Sequence, residues 1–202
     1  MAQWDGSTNS LIRPYRNPYG GAPVRDFQES TAAAPAVLKL GDVVTFNTVV
    51  TTNLSVVRAP SSGGTGTNLL QVGITSLLGI AAQASTGDGS TAGATPGGTN
   101  IGPANIAKRI GVWLADANTE FLGYLSSAGA GPAIAASSLI GQNVPLIHNR
   151  TLGRWFVDST NTTAALAAVK ITDIPSESIG DTNGPVIFKF LSTNFALAPR
   201  VP

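Results

Sequence analysis

Short runs rich in Val, Ile, Leu and Thr recur along this chain, and Gly, Asn, Asp or Pro interrupts each one within a few residues. The runs occupy residues 36–46, 48–59, 69–84, 105–115, 119–125, 143–149, 153–158, 166–174 and 185–191. Such spacing is typical of strands separated by turns. The 13 prolines and 23 glycines disfavour a helical protein. The sequence therefore predicts an all-β fold, a single β-sandwich or barrel-like domain of about nine or ten short strands with at most one short helix.

Two of these runs indicate how deeply the strands are buried. In VIFKFL, residues 186–191, both alternating faces are apolar except at Lys189, which favours a strand covered on both sides. In RWFVD, residues 154–158, Trp155 and Phe156 fall on opposite faces because side chains alternate along a strand. We therefore expect at least one of these rings in the core, and core packing is the favoured interpretation for Trp155.

Turn and helix signals complete the local prediction. Runs 105–115 and 119–125 are separated by Asp-Ala-Asn, whose Asp and Asn bond their own backbone in turns, and they are predicted to form a hairpin. Residues 158–161, Asp-Ser-Thr-Asn, are interpreted as another side-chain-capped turn. Residues 133–140, AIAASSLI, are the best helix candidate, although a strand remains an alternative there.

The amino-terminal segment differs from the rest of the chain. Residues 11–28, LIRPYRNPYGGAPVRDFQ, combine three arginines, two tyrosines and three prolines without helical or strand periodicity. The sequence therefore predicts an extended arm over residues 1–34, followed by the β domain over residues 35–202. A Gly/Thr-rich loop is predicted within that domain near residues 85–103, where large apolar residues are absent up to residue 101.

Composition and motifs constrain the chemistry. Charged residues make up 11% of the chain, against about 25% in typical soluble domains, which favours association with other subunits. The 12 basic and 11 acidic residues form no basic run, so neither a nucleic-acid partner nor a membrane partner is predicted. With no cysteine and with His148 as the single histidine, we predict no catalytic residues, no metal site and no cofactor. His148 is interpreted as a half-buried strand residue.

The order of several segments resembles a known class of viral proteins. The segments are GDVV at 41–44, VGITSLLGIAAQA at 72–84, IGVWLADANTEFLGYL at 110–125, RWFVDSTNTTAALAAVKITDI at 154–174 and GPVIFKFLSTNFALA at 184–198. As a pattern of spaced β segments, the chain resembles the capsid cement or decoration proteins of tailed bacteriophage heads. The resemblance implies a non-enzymatic virion protein, made in the host cytoplasm. It would lie on the capsid surface and stabilise the shell across subunit junctions.

Partners and contact residues follow from combining this resemblance with the arm. The resemblance implies that the major capsid protein is the partner and that the protein is a homo-oligomer, with a trimer favoured. The arm is predicted to dock on neighbouring subunits, because Tyr and Arg often supply the strongest interface contacts. The predicted partner-binding residues are Arg13, Tyr15, Arg16, Tyr19, Arg25 and Phe27. The alternative is that the arm folds back on its own domain.

A second function class remains open from the sequence alone. A carbohydrate-binding or host-adhesion module of a head fibre or tail would use Trp113, Tyr124 or Trp155 as stacking platforms. An enzyme is a more distant third alternative, since no nucleophile, base and carboxylate set emerges from the spacing.

Overall fold

The structure is a computed structural model and describes residues 11–29, 38–46, 55–58, 61–62, 67–70, 77–82, 109–128, 131–149, 152–162 and 166–191. The predicted Gly/Thr-rich loop near 85–103 and the predicted boundary between residues 34 and 35 lie outside these ranges. Both therefore stay predictions.

Strands dominate the described residues, and the predicted all-β class is confirmed. In chain order they are β1 (Arg13–Arg16), β2 (Val24–Glu29), β3 (Val43–Phe46), β4 (Ser55–Arg58), β5 (Ser61–Ser62), β6 (Thr67–Leu70), β7 (Leu77–Ala81), β8 (Arg109–Leu114), β9 (Glu120–Ser126), β10 (Asn143–Val144), β11 (Leu146–Asn149), β12 (Arg154–Asp158), β13 (Val169–Asp173) and β14 (Pro185–Phe190). Short 3-10 helices span Ser137–Leu139 and Ser176–Ser178. The strands outnumber the prediction because β1 and β2 lie in the predicted arm, and β5 and β10 have two residues each.

Five strands form a small closed barrel in the order β2-β4-β3-β7-β8. Its pairs are antiparallel except β2 with β4, which run parallel. A cluster of buried side chains from these strands and from the turn before β3 fills the barrel. The Phe27 and Phe46 rings pack against it, edge-to-face with each other, at a centroid distance of 5.7 Å. The buried members of the cluster are Leu38, Val44, Leu78, Ala81, Ile110 and Val112.

The remaining strands form a nine-stranded sheet in the order β10-β13-β14-β9-β12-β11-β6-β5, with β1 paired to β9 off this path. Pro145 alone separates β10 from β11, yet Val144 pairs with β13 whereas Leu146 pairs with β12. Since β13 and β12 are not neighbours in the sheet, the segment 143–149 makes the sheet curl back on itself. Proline suits this corner because it cannot donate to a central ladder.

The larger core lies between the two sheets and inside the curled sheet. Barrel residues Val43, Leu77 and Ile80 belong to the same buried cluster as Phe121 and Phe188 of the curled sheet. The alternating outer positions of β3 and β7 therefore pack on the second sheet, which covers both faces of these strands. One continuous apolar cluster thus joins the barrel to the curled sheet.

The prediction that the strand near residues 185–191 is covered on both faces is confirmed. In β14, Val186, Ile187, Phe188 and Phe190 are all buried, and Lys189 is intermediate. In β12, Trp155 is 2% exposed and lies in the larger core, and Phe156 on the opposite face is 1% exposed. Both aromatic residues are therefore interior, and the interpretation of Trp155 as a core residue is confirmed.

The structure differs from the predicted arm over residues 11–29. Two strands lie in this segment: β1 pairs with β9, and β2 pairs with β8 inside the barrel. Both pairings are antiparallel, with Arg13 opposite Leu122 in the first and Gln28 opposite Arg109 in the second. The segment, which we call the amino-terminal strap, thus crosses from one sheet to the other along a single partner segment, and the alternative in which it folds back on its own domain holds here.

The same pairing overturns the predicted hairpin of 105–115 with 119–125. β8 and β9 are consecutive but do not pair with each other, because β8 belongs to the barrel and β9 to the curled sheet. The turn itself is as predicted, since the Asp116 carboxylate accepts hydrogen bonds from the backbone N–H groups of Asn118 and Thr119. The predicted turn is therefore confirmed, but β8 and β9 each pair with a strand of the strap and not with each other.

Candidate docking surface

The exposed side chains of the strap define the candidate site. Five of the six predicted partner-binding residues, Arg13, Tyr15, Arg16, Tyr19 and Arg25, are exposed, and we call these five the amino-terminal surface. The sixth, Phe27, differs: its ring is half-buried and packs on Phe46 in the barrel core. Phe27 therefore helps to hold the fold and does not face outward with the other five.

Strand β1 is fixed firmly on the curled sheet. Ile12, just before it, is 1% exposed and belongs to the larger core. The backbone at Ile12 also lies close to Gly41. A Cβ added to Gly41 would lie 3.2 Å from the Ile12 carbonyl oxygen. After the strand, the Asn17 side-chain amide donates to the Thr119 hydroxyl at 2.9 Å. The strand is therefore held at both ends.

A bulge places Tyr15 outside the ladder. The register of β1 against β9 shifts between Pro14 and Arg16, so Tyr15 has no paired residue opposite it. Bulges of this kind re-aim a side chain and bend the strand locally. Tyr15 is 52% exposed, and among the described residues β1 pairs only with β9. The outer edge of β1 thus carries an exposed aromatic ring.

The turn after β1 presents the most exposed aromatic side chain of the described residues. The Asn17 side-chain oxygen accepts a hydrogen bond from the Tyr19 backbone N–H at 2.9 Å, and the Gly20 N–H donates to the Asn17 carbonyl at 3.2 Å. Gly20 has a φ of +121°, which glycine adopts without the strain of a side chain. Tyr19 is 84% exposed on this hydrogen-bonded turn. Its ring is therefore offered to solvent from an ordered backbone.

A buried carboxylate neutralises one of the three arginines. Glu120 has a side chain that is 7% exposed, and it forms an ion pair with Arg16 while the Lys189 ammonium lies 3.8 Å from its other oxygen. The hydrogen bond to Glu120, together with its charge, raises the pKa of Arg16. This ion pair attaches Arg16 of β1 to Glu120 of β9. Arg13 and Arg25 supply the outward positive charge of the surface, beside Asp26.

This ion pair gives a prediction on stability. Arg16→Ala should lower the thermal midpoint, because it leaves the buried Glu120 carboxylate with only the more distant Lys189. Arg13→Ala is the matched control, since it removes an exposed arginine from the same strand and should leave the midpoint within about 1 °C. Differential scanning calorimetry of the two variants measures this, and equal midpoints would show that Arg16 does not attach the strap.

The remaining sequence candidates lie in structural positions. His148 is buried in β11, with its ring centroid 5.0 Å from that of Trp155. It is more deeply buried than predicted because β11 is flanked by strands on both sides. The Asp158 carboxylate accepts from the backbone N–H of Thr160 at 3.1 Å and from its hydroxyl at 2.7 Å, so the predicted capped turn is confirmed. Within the described part of the chain, no group of three or more His, Cys, Asp or Glu side chains could hold a metal ion.

The aromatic residues of the adhesion alternative are less accessible than those of the strap. Trp155 is interior, Trp113 is half-buried and packs on the larger core, and Tyr124 is half-buried on β9. Among the described helices, none has the length and apolar character needed to cross a membrane. Searches of protein-family models, curated proteins and solved structures find no match to this chain.

Proposed function

We propose that this protein is a non-enzymatic structural protein of a phage virion that binds the outer surface of the capsid and stabilises the shell across subunit junctions. The observation that carries the proposal is the amino-terminal surface, where exposed tyrosines and arginines lie on an ordered backbone. Tyr and Arg are enriched among the residues that dominate binding energy in protein interfaces. A surface already fixed before binding loses less conformational entropy when it docks.

The mode of docking follows from the placement of the strap. The predicted arm would reach a neighbouring subunit as a loose segment, whereas residues 11–29 are folded into both sheets. We therefore propose that the capsid subunit docks onto the strap as a preformed surface. Among the described residues β1 pairs with β9 alone, so its other edge offers backbone groups to a partner strand. Arg13 and Arg25 favour a partner surface that carries carboxylates.

Capsid occupancy of point variants tests the proposal. The double substitution Tyr15→Ala and Tyr19→Ala should weaken capsid binding at least about thirtyfold, the effect of removing one strong interface contact. Lys170→Ala, which changes an exposed residue on β13, is the matched control and should bind like wild-type protein. Occupancy is measured by sedimentation of purified capsids with added protein. Full occupancy by the double variant would contradict docking through this surface.

The carbohydrate-binding alternative has a separate readout. It requires an aromatic platform, and Trp113 is the more suitable of the two described tryptophans because it is partly exposed whereas Trp155 is buried. Binding of wild-type protein on a glycan array that is lost in Trp113→Ala would favour that function over capsid docking. No binding on the array, together with capsid occupancy, would favour the structural role.

A further inference from the structure

Two further exposed apolar groups lie outside the amino-terminal surface. One, the isoleucine surface, consists of Ile134, Ile140 and Ile179, which are 54%, 45% and 51% exposed. The other, the leucine surface, consists of Leu40 and Leu152, which are 39% and 36% exposed. Together they place five large aliphatic side chains of the described residues in contact with solvent. Exposed apolar groups of this kind can mark interaction sites.

The isoleucine surface is built on two loops that are hydrogen-bonded to each other. Ile134 pairs with Thr182 in an isolated bridge. On either side of it, the Asn183 N–H donates to the Ala133 carbonyl at 2.6 Å and the Gly180 N–H donates to the Ala135 carbonyl at 2.8 Å. Both loops also contain a 3-10 turn, just before Ile140 and just before Ile179. The three isoleucines are therefore exposed from ordered backbone.

The leucine surface joins two turns through a lysine. Lys39 precedes Leu40, and the Lys39 ammonium packs against Gly153. A Cβ added to Gly153 would lie 2.5 Å from that ammonium nitrogen. Gly153 follows Leu152, so the side chain of Lys39 brings the two turns together. The Lys39 backbone N–H also donates to the buried Asp42 carboxylate at 2.8 Å, which fixes the first turn.

The two surfaces differ in charge. Glu177 is exposed beside Ile179, and Asp181 is half-exposed opposite Ala135 on the same pair of loops. Lys39 is exposed beside Leu40. One apolar surface therefore has an acidic margin and the other a basic one. Two copies of the isoleucine surface would bring like charges together, whereas an isoleucine surface against a leucine surface pairs opposite charges.

The two surfaces lie on separate loops of the chain. Ile140 precedes the segment 143–149, which contains β10 and β11, and Leu152 follows it. Between them the chain turns a corner at Pro145, since β10 pairs with β13 and β11 pairs with β12. β13 runs antiparallel to β10 and ends on the Ile140 side, which is why Ile179 is found there. One molecule thus carries both complementary surfaces on separate loops, and each is free to contact a different neighbour.

We propose that copies of this chain associate head-to-tail, with the isoleucine surface of one copy seated on the leucine surface of the next. This is a heterologous contact, which produces a closed ring or a chain according to the rotation between neighbours. Glu177 of one copy pairs with Lys39 of the next at the margin of the apolar contact. The amino-terminal surface takes no part in this contact, so the inference does not depend on capsid binding and is tested without capsids.

Mixing two single-surface variants is the decisive experiment. Ile179→Asp and Leu152→Asp each place a carboxylate in the apolar contact and should each weaken self-association at least about thirtyfold. Each variant alone should be monomeric by size-exclusion chromatography with light scattering. Mixed in equal amounts, they should form a heterodimer, because the intact leucine surface of one fits the intact isoleucine surface of the other. Circular dichroism verifies that both variants keep the β fold.

A charge exchange gives an independent control. Glu177→Lys should weaken association about fivefold, the upper range for an exposed ion pair, and adding Lys39→Glu to the same chain should restore it. A monomeric wild-type protein at a concentration of about 100 μM would overturn the proposal, since weak specific contacts have dissociation constants in or below that range. Single variants that remain oligomeric, or a mixture that stays monomeric, would overturn it equally.

Discussion

Deletion of residues 1–34 is expected to abolish cooperative unfolding of the remaining chain. The deletion removes β1 and β2, and β2 closes the barrel between β4 and β8. Without it, the edges of β4 and β8 lose their ladder, and Phe27 no longer covers Phe46 in the barrel core. The deletion also removes Ile12 from the larger core and Phe27 from the barrel core. Loss of a large core side chain costs about 2–5 kcal/mol, so loss of both together with two strands is comparable with the whole stability of a typical domain, about 5–15 kcal/mol.

Near-ultraviolet circular dichroism during heating provides the measurement. The signal of the buried Trp155 reports whether the larger core stays packed, and the truncated chain should show no sigmoidal loss of it. Addition of a synthetic peptide of residues 1–34 should restore part of the transition, because the strap pairs with residues 109–113 of β8 and with residues 120–122 of β9. A truncated chain that unfolds cooperatively within a few degrees of the full chain would show that the strap is dispensable for the fold.

Gly79→Ala should be the most destabilising single methyl addition among the barrel glycines described. A Cβ at this position would lie 1.9 Å from the Trp113 carbonyl oxygen and 3.0 Å from the Ala115 backbone nitrogen. Both atoms belong to backbone, so no side-chain rotation relieves the clash, and the ladder between β7 and β8 must open. Overpacking of this kind costs about 3 kcal/mol, or roughly 10 °C in Tm for a chain of this size.

Gly111→Ala is the matched control for this substitution. Gly111 lies on β8 of the same barrel, but a Cβ there would meet Val24 at 3.5 Å and Ala82 at 3.6 Å, which is ordinary van der Waals contact. The substitution should be neutral or stabilise the protein by up to about 1 kcal/mol, because alanine restricts the unfolded chain. Equal Tm values for the two variants would contradict the close approach of β7 to β8.

The sequence was informative wherever the signal was local. Alternation identified β14 as a strand covered on both faces and predicted at least one aromatic ring of β12 in the core, because the side-chain period of a strand is visible within five or six residues. The turns at Asp116 and Asp158 were also correct, since a carboxylate that accepts from the backbone two residues on needs no distant partner. The candidate helix at 133–140 reduces to one 3-10 turn at Ser137–Leu139 because its flanks pair with residues 180–183 instead.

The strap was missed because its structure depends on distant residues. VRDFQE exposes Val24, Arg25 and Asp26 and turns Phe27 partly inward, so its pattern contains no clear alternation of apolar and polar residues. Its strand conformation is set by β8, more than eighty positions away along the chain, and such pairing is governed by topology more than by propensity. The arginines and tyrosines of the strap were nevertheless named from the composition of the segment together with the resemblance, and all five of them are exposed.

The strap therefore has two roles, and deletion of residues 1–34 removes both at once. It closes the barrel and attaches it to the curled sheet, and it presents the amino-terminal surface on its outer side. Loss of capsid binding after deletion would follow from unfolding alone. Point variants at Tyr15 and Tyr19 separate the roles, because both side chains are exposed and make no contribution to either core cluster.

A cryo-electron microscopy reconstruction of phage capsids saturated with the full-length protein tests the central proposal most directly. We expect density for the protein on the outer surface, above a junction between capsid subunits, with Tyr15 and Tyr19 directed at the shell. Capsids without added density, or with the protein bound through a face on which both tyrosines remain in solvent, would contradict it.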